Sequence, residues 1–125
     1  HQFNVFSVNH PVQKALATYL EDKAHYLSLP KFFQAKRDLF LDAIKDSKFR
    51  FKPSLGTYFQ LLDFSQISQE SDLELAKKWT KERKLASIPV SAFYNKRTDH
   101  KVLRFCFAKS DETILKGAEI LNSIE

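Results

Sequence analysis

An α+β fold, with a small, mostly antiparallel sheet and helices packed on one face, is what the sequence predicts. Three observations carry that expectation. Helical stripes and short β-rich runs follow in the order helix, helix, strand, strand, helix, strand, strand, helix. One run, Val102–Ala108, sets Leu103, Phe105 and Phe107 alternately with smaller or polar side chains, the two-residue period of a strand. The 12 Phe, 4 Tyr and 1 Trp supply core-forming rings, each able to bury roughly 150–250 Å².

The elements follow in order. His1 to Asn9 is an apolar and aromatic lead-in (Phe3, Val5, Phe6, Val8) without a helical stripe, and reads as extended. Asn9 suits an N-cap and Pro11 a first turn, so Val12 to Lys23 is predicted helical with Leu16, Tyr19 and Leu20 on one side. A second helix is expected from Pro30 to about Ser47, its stripe formed by Phe33, Phe40 and Ile44 and widened by Phe32, Leu39 and Ala43. Phe49 and Phe51 alternate with Arg50 and Lys52, as in a short edge strand. Pro53 to Gly56 then turns the chain into a β-rich run, Thr57 to Phe64. Ser71 with Glu74 forms a capping box for a helix whose inner face is Leu73, Ala76 and Trp79. Leu85 to Val90 is a short strand interrupted by Pro89, and Asn95 to Lys101 is a polar loop. After the strand at Val102, Ser110 caps a last helix. Asp111 and Glu112 complement its dipole, and Ile114, Ala118, Leu121 and Ile124 face inward.

Composition bounds the function classes. Hydrophobic residues at 43% and charged residues at 28% describe an ordinary globular chain. No stretch approaches the ~20 apolar residues that cross a bilayer, so no membrane partner is expected. A single cysteine leaves no internal disulfide and points to a reducing, cytoplasmic setting. The absence of any methionine predicts a piece of a longer chain. The net charge of +5 admits an acidic partner, or an uneven share of a larger protein's charge.

The sharpest local signal is Arg104. In the Val102–Ala108 strand it shares a face with Val102 and Cys106, opposite the uniformly apolar Leu103, Phe105 and Phe107. A guanidinium keeps its charge and is costly to bury unpaired. Spacing leaves two readings open. In one, Arg104 stands in water or pairs with a structural acid such as Asp63. In the other, it waits on a cleft floor for a carboxylate or phosphate that its planar fork grips with two parallel bonds.

Several segments together carry a resemblance. His1-Gln2-Phe3-Asn4-Val5-Phe6-Ser7-Val8-Asn9, Gly56-Thr57-Tyr58-Phe59, Ile88-Pro89-Val90-Ser91-Ala92-Phe93-Tyr94 and Leu103-Arg104-Phe105-Cys106-Phe107-Ala108-Lys109 occur in that order. In sequence and interval they resemble the C-terminal part of class I pyridoxal-phosphate-dependent aminotransferases, of the methionine and kynurenine (glutamine-transaminase-like) subgroup. The resemblance implies that residues 1–25 end the large cofactor domain and that residues 26–125 form the small C-terminal domain. It implies a homodimeric enzyme acting on an amino acid (methionine, glutamine, kynurenine or aromatic) and a 2-oxo acid. Arg104 matches the arginine that binds the substrate α-carboxylate. Phe6 and Ser7 match a stretch that reaches into the other subunit's active site, and Gly56 and Tyr58 lie on a segment lining the substrate entrance. The Schiff-base lysine and most of the cofactor's phosphate site belong to the family upstream of His1. These residues alone are therefore expected to bind no pyridoxal phosphate and to be inactive, with no catalytic residue among them.

The rival reading is a basic α+β nucleic-acid-binding module. It would use Lys77, Lys78, Lys81, Arg83, Lys84, Lys96, Arg97 and Lys101 on phosphates, with Phe105 or Phe107 stacking on bases. Interleaved Glu74 and Glu82 and the missing glycines of the common RNA-binding sheet count against it, and no nucleic-acid partner is expected. Ser28-Leu29-Pro30-Lys31 lacks companion motifs for serine catalysis. His1, His10, His25 and His100 lack metal-ligand spacing. Cys106 reads as a small buried hydrophobe.

Overall fold

A computed structural model of the chain describes residues 3, 4 and 6–124. His1, Gln2 and Val5 of the predicted lead-in lie outside the described residues. The chain forms two compact units, one up to Phe32 and one from Phe33 onward. In the first, α1 spans His10–Tyr19. The Asn9 side chain accepts the Val12 N–H at 3.2 Å and so satisfies a helix-start donor. The helix ends at Leu20, earlier than its apolar stripe suggests, and a four-residue helix, α2 (Ala24–Leu27), follows. The Asp22 carboxylate starts it by accepting the Ala24 N–H at 2.8 Å. His25 stacks on Tyr19, with ring centroids 3.8 Å apart. A third helix, α3 (Leu29–Ala43), begins here and runs on into the second unit.

The second unit holds the sheet. Three strands, β1 (Phe59–Asp63), β2 (Ile88–Pro89) and β3 (Val102–Cys106), pair antiparallel in the order β1-β3-β2. Leu61 lies opposite Arg104 from one side and Ile88 from the other, which centres Arg104 in the sheet. Two helices complete the unit, α4 (Asp72–Glu82) and α5 (Asp111–Asn122). Hydroxyl caps fix their starts: Ser71 Oγ accepts the Glu74 N–H and Ser110 Oγ accepts the Thr113 N–H. The buried cluster joins Phe40 of α3 and the adjoining Ile44, Leu62 of β1, Leu75 and Trp79 of α4, and Ile114 and Leu121 of α5. Leu103, Phe105 and Phe107 enter that cluster from β3 and its continuation, so the expected α+β architecture, with the predicted core face inward, is what forms.

Buried polar groups tie the turns to the strands. The Gln60 amide donates to the Lys52 and Leu61 carbonyls and accepts the Ser54 N–H, holding the Pro53 turn against β1. Lys84 adopts φ 57°, unusual for a side chain with a Cβ, and reverses the chain so that the Leu85 N–H reaches the Trp79 carbonyl.

Departures from the sequence reading are local. Phe49–Lys52 makes one antiparallel bridge, Arg50 with Asp63, in place of a strand. On α4 the buried position is Leu75, while Leu73 is 39% exposed, because the helix presents the face phased with Ala76 and Trp79 at i+1 and i+4 from Leu75. Phe32 stays about half exposed, outside the buried stripe of α3. Past Pro89 the chain enters a 3-10 turn, Val90–Phe93, where the reading expected strand to Val90.

Candidate functional site

On β3 the face away from the core carries Val102, Arg104 and Cys106. Cross-strand pairing adds Phe59 and Leu61 from β1 and Ile88 from β2 to that same face. Leu61 and Ile88 are both partly open to solvent, so the face is apolar but uncovered. In its middle the Arg104 guanidinium carbon lies 4.6 Å from the Phe59 ring centroid and 5.2 Å from that of Phe93. Both distances fall within the ~6 Å range of cation–π attraction.

No hydrogen bond or ion pair to this guanidinium occurs among the described residues. Asp63, the structural acid the sequence offered, uses its carboxylate locally and accepts the Ser65 N–H at 2.7 Å. The side chain is therefore held by ring contacts that consume none of its N–H donors. A fork with free donors over apolar neighbours is an anion receptor, and a planar carboxylate fits it with two parallel bonds. Arg104 also lines a cavity of about 450 Å³ beside the β2 edge, together with Leu85, Ile88, Cys106 and Lys109. That volume lies within the roughly 300–1,000 Å³ of small-molecule sites. The cavity also has Phe105 and Leu121 in its lining, so residues of both faces of β3 border it.

The other predicted site residues fall in two places. Phe6 and Ser7 belong to the first unit. Phe6 is 82% exposed and has φ 60°, a left-handed backbone that side chains with a Cβ rarely adopt. Gly56 and Tyr58 belong to the second unit, in the exposed segment leading into β1. A Cβ on Gly56 meets nothing within 4 Å, so neither space nor backbone demands glycine there. The Tyr58 carbonyl accepts the Phe107 N–H at 3.0 Å, and its ring stands edge-on to Phe59 at 5.7 Å. Tyr58 thus joins the aromatic group around Arg104 through Phe59.

Phe59 and Phe93 are the residues that sequence reasoning passed over. Each lies inside a segment that drew attention, but their meeting over Arg104 depends on strand register and on the turn after Pro89. Cys106 is exposed and free, not buried, because it shares the open face with Arg104. Phe105 and Phe107 are buried in the core and cannot stack on bases. Lys77, Lys78 and Lys101 are engaged with Glu74, Glu70 and Asp99. Burial alone would raise the Asp99 carboxyl. The Lys101 N–H and ammonium, with the Asp72 N–H, outweigh it and hold the group below its usual range.

Comparison with known proteins identifies the family of this chain. The profile of the family described as aminotransferase class I and II matches residues 2–121. A methionine aminotransferase of Escherichia coli (strain K12) is 42% identical over 99% of this chain and 32% of its own length. Kynurenine–oxoglutarate transaminase 3 of Homo sapiens is 30% identical over 98% of this chain and 31% of its own. The crystal structure of an Escherichia coli protein with methionine aminotransferase function superposes with a TM-score of 0.89 at 43% identity. That superposition covers 98% of this chain and 32% of the other. The chain spans about a third of the length of the curated relatives it matches.

Proposed function

Because this chain belongs to the class I and II aminotransferases, we propose that it forms the C-terminal small domain of an enzyme that moves an amino group from an amino acid to a 2-oxo acid. Arg104 binds the substrate's α-carboxylate. The observation that supports this most is the free guanidinium, clasped by Phe59 and Phe93 on an open apolar face. A carboxylate held in the fork fixes the Cα of the amino acid in one orientation, so that its proton is presented to a base in a defined direction. The rings and Leu61 exclude water from one side of that contact and strengthen it. Methionine, glutamine, kynurenine and the aromatic amino acids are the candidate donors.

Pyridoxal phosphate, when bound to such an enzyme, supplies the electron sink for the chemistry at Cα. The ring contacts of Arg104 do not hold that cofactor: Phe59 and Phe93 offer neither an amine to its aldehyde nor a donor to its phosphate. We therefore assign these residues substrate binding and no covalent step, and alone they neither hold the cofactor nor transaminate. Residues 1–25 close the large domain in this reading, and residues 26–125 are the small domain. Phe6 and Ser7 reach the second subunit of a homodimer, a role that the exposed, strained Phe6 suits. Gly56 and Tyr58 border the substrate entrance, Tyr58 by its packing on Phe59. No described helix is long and apolar enough to cross a membrane, and the unpaired Cys106 thiol suits a cytoplasmic setting.

Arg104→Lys in the whole protein tests the assignment. Charge-assisted bonds of this kind contribute roughly 1.5–3 kcal/mol. Loss of the fork raises KM for the amino acid by about ten- to a hundred-fold, while cofactor absorbance stays as in wild type. Unchanged KM and kcat would rule the assignment out.

A further inference from the structure

The 3-10 turn at Val90–Phe93 is anchored from beneath by a single buried carboxylate. Asp72, the first residue of α4, is 1% exposed. Its Oδ2 accepts the Ser91 N–H and its Oδ1 the Ser91 hydroxyl, both at 2.7 Å. Its own N–H donates to Asp99 Oδ2 at 3.2 Å, and Asp99 Oδ1 accepts the Lys101 N–H at 2.7 Å. One bond network thus joins the start of α4, the loop entering β3, and the turn after Pro89. A carboxylate at such depth is tolerated only where its oxygens are bonded.

What this anchorage holds in place is Phe93. Its ring is 62% exposed, so burial in the core does not explain its position. Its ring lies against a charge: the Arg104 guanidinium carbon, 5.2 Å from the ring centroid. Phe59, from β1, supplies the second ring at 4.6 Å. An unsubstituted arginine side chain on an open sheet samples many rotamers, and each one lost on binding weakens the grip on the ligand. Two rings narrow that set beforehand without occupying a donor.

We infer that Phe93 is a positioning residue that pre-orients Arg104 for the carboxylate, and that the Asp72–Ser91 pair sets its height above the sheet. This rests on the carboxylate-binding role of Arg104 proposed above. It explains why so exposed a turn is tied to a buried acid. It also gives Ser91, whose N–H and hydroxyl are bonded to Asp72, an indirect effect on the guanidinium.

The test compares Phe93→Leu, Phe93→Tyr, Ser91→Ala and Arg104→Lys in the whole protein with its cofactor. KM, kcat and Tm are measured, together with equilibrium binding of 3-phenylpropionate, a carboxylate that cannot react. Removing a partly exposed cation–π contact corresponds to roughly a two- to five-fold effect. Phe93→Leu is expected to weaken 3-phenylpropionate binding and raise KM by that factor, with kcat and Tm little changed. Phe93→Tyr, which keeps the ring, restores both, and Ser91→Ala shifts KM in the same direction as Phe93→Leu. If Phe93→Leu leaves KM and 3-phenylpropionate binding at wild-type values while Arg104→Lys strongly raises KM and weakens that binding, the positioning role falls and the carboxylate role of Arg104 stands. If Phe93→Leu lowers only Tm, the ring is structural and the inference is wrong. Wild-type behaviour of Arg104→Lys overturns the carboxylate reading itself, and this inference with it.

Discussion

The two faces of β3 differ by one residue of phase and by everything else. Toward the helices stand Leu103 and Phe105, followed by Phe107, all buried in one apolar cluster. Toward the open side stand Arg104 and the exposed Cys106, with Phe59 and Leu61 across the register. The first face is tied to stability, because every methylene removed leaves a cavity in a close-packed core. The second contributes little to stability and holds a cation by ring contacts, with no hydrogen bond or ion pair to its guanidinium among the described residues. A backbone that needs both faces satisfied to form a sheet lets the inner one carry the folding, which frees the outer one for chemistry. The proposed carboxylate site thus falls where the packing is poor and the charge unmatched.

The largest effect that would break this division comes from the core side. Phe107→Ala, at a residue 1% exposed, is expected to lower unfolding stability by about 3–5 kcal/mol. Denaturant unfolding should show a shifted midpoint with little change in slope. A loss below about 1 kcal/mol would mean that the inner face is not the folding face.

Acid sharpens the contrast at intermediate size. Leu103, Phe105 and Phe107 carry no titratable group, whereas the turn bearing Phe93 is tied through Asp72 to Asp99. Although burial pushes it up, the Asp99 carboxyl is held below the ordinary aspartate value by the Lys101 N–H and ammonium and the Asp72 N–H. A group depressed in the folded state contributes stability above its unfolded value, and that contribution is lost as pH falls through the folded value. Asp99→Asn should therefore flatten the acid limb of stability against pH and leave the neutral region nearly level. An acid limb identical to wild type would remove Asp99 from the network.

Cys106→Ser is the smallest change. On an open face it should move stability by no more than about 0.5 kcal/mol, read by thermal unfolding. A loss of several kcal/mol would show that the outer face is packed against something and is not open.

Much of this division was legible in the sequence, since side-chain alternation is a local property. Leu103, Phe105 and Phe107 declare one face and Arg104 the other without knowledge of any partner strand. The helix caps Asn9, Ser71 and Ser110 were equally local, each a short polar side chain before an apolar stripe. What escaped depends on distant pairing. Phe59 reaches Arg104 through the strand register that sets Leu61 opposite it, and Phe93 reaches it from a turn whose Ser91 is bonded to Asp72, 19 residues away. Leu73 and Leu75 show a finer limit: both fit an amphipathic helix, and tertiary packing selected the second. At Gly56 the backbone makes no demand that glycine alone meets, so its local geometry carries no signal of a role.

The most direct measurement is an experimental structure of the whole protein with an unreactive amino-acid analogue bound. The account predicts two carboxylate oxygens at roughly 2.7–2.9 Å from two Arg104 guanidinium nitrogens, between the rings of Phe59 and Phe93. A carboxylate bound elsewhere, with Arg104 turned to solvent or paired to a protein acid, would contradict it.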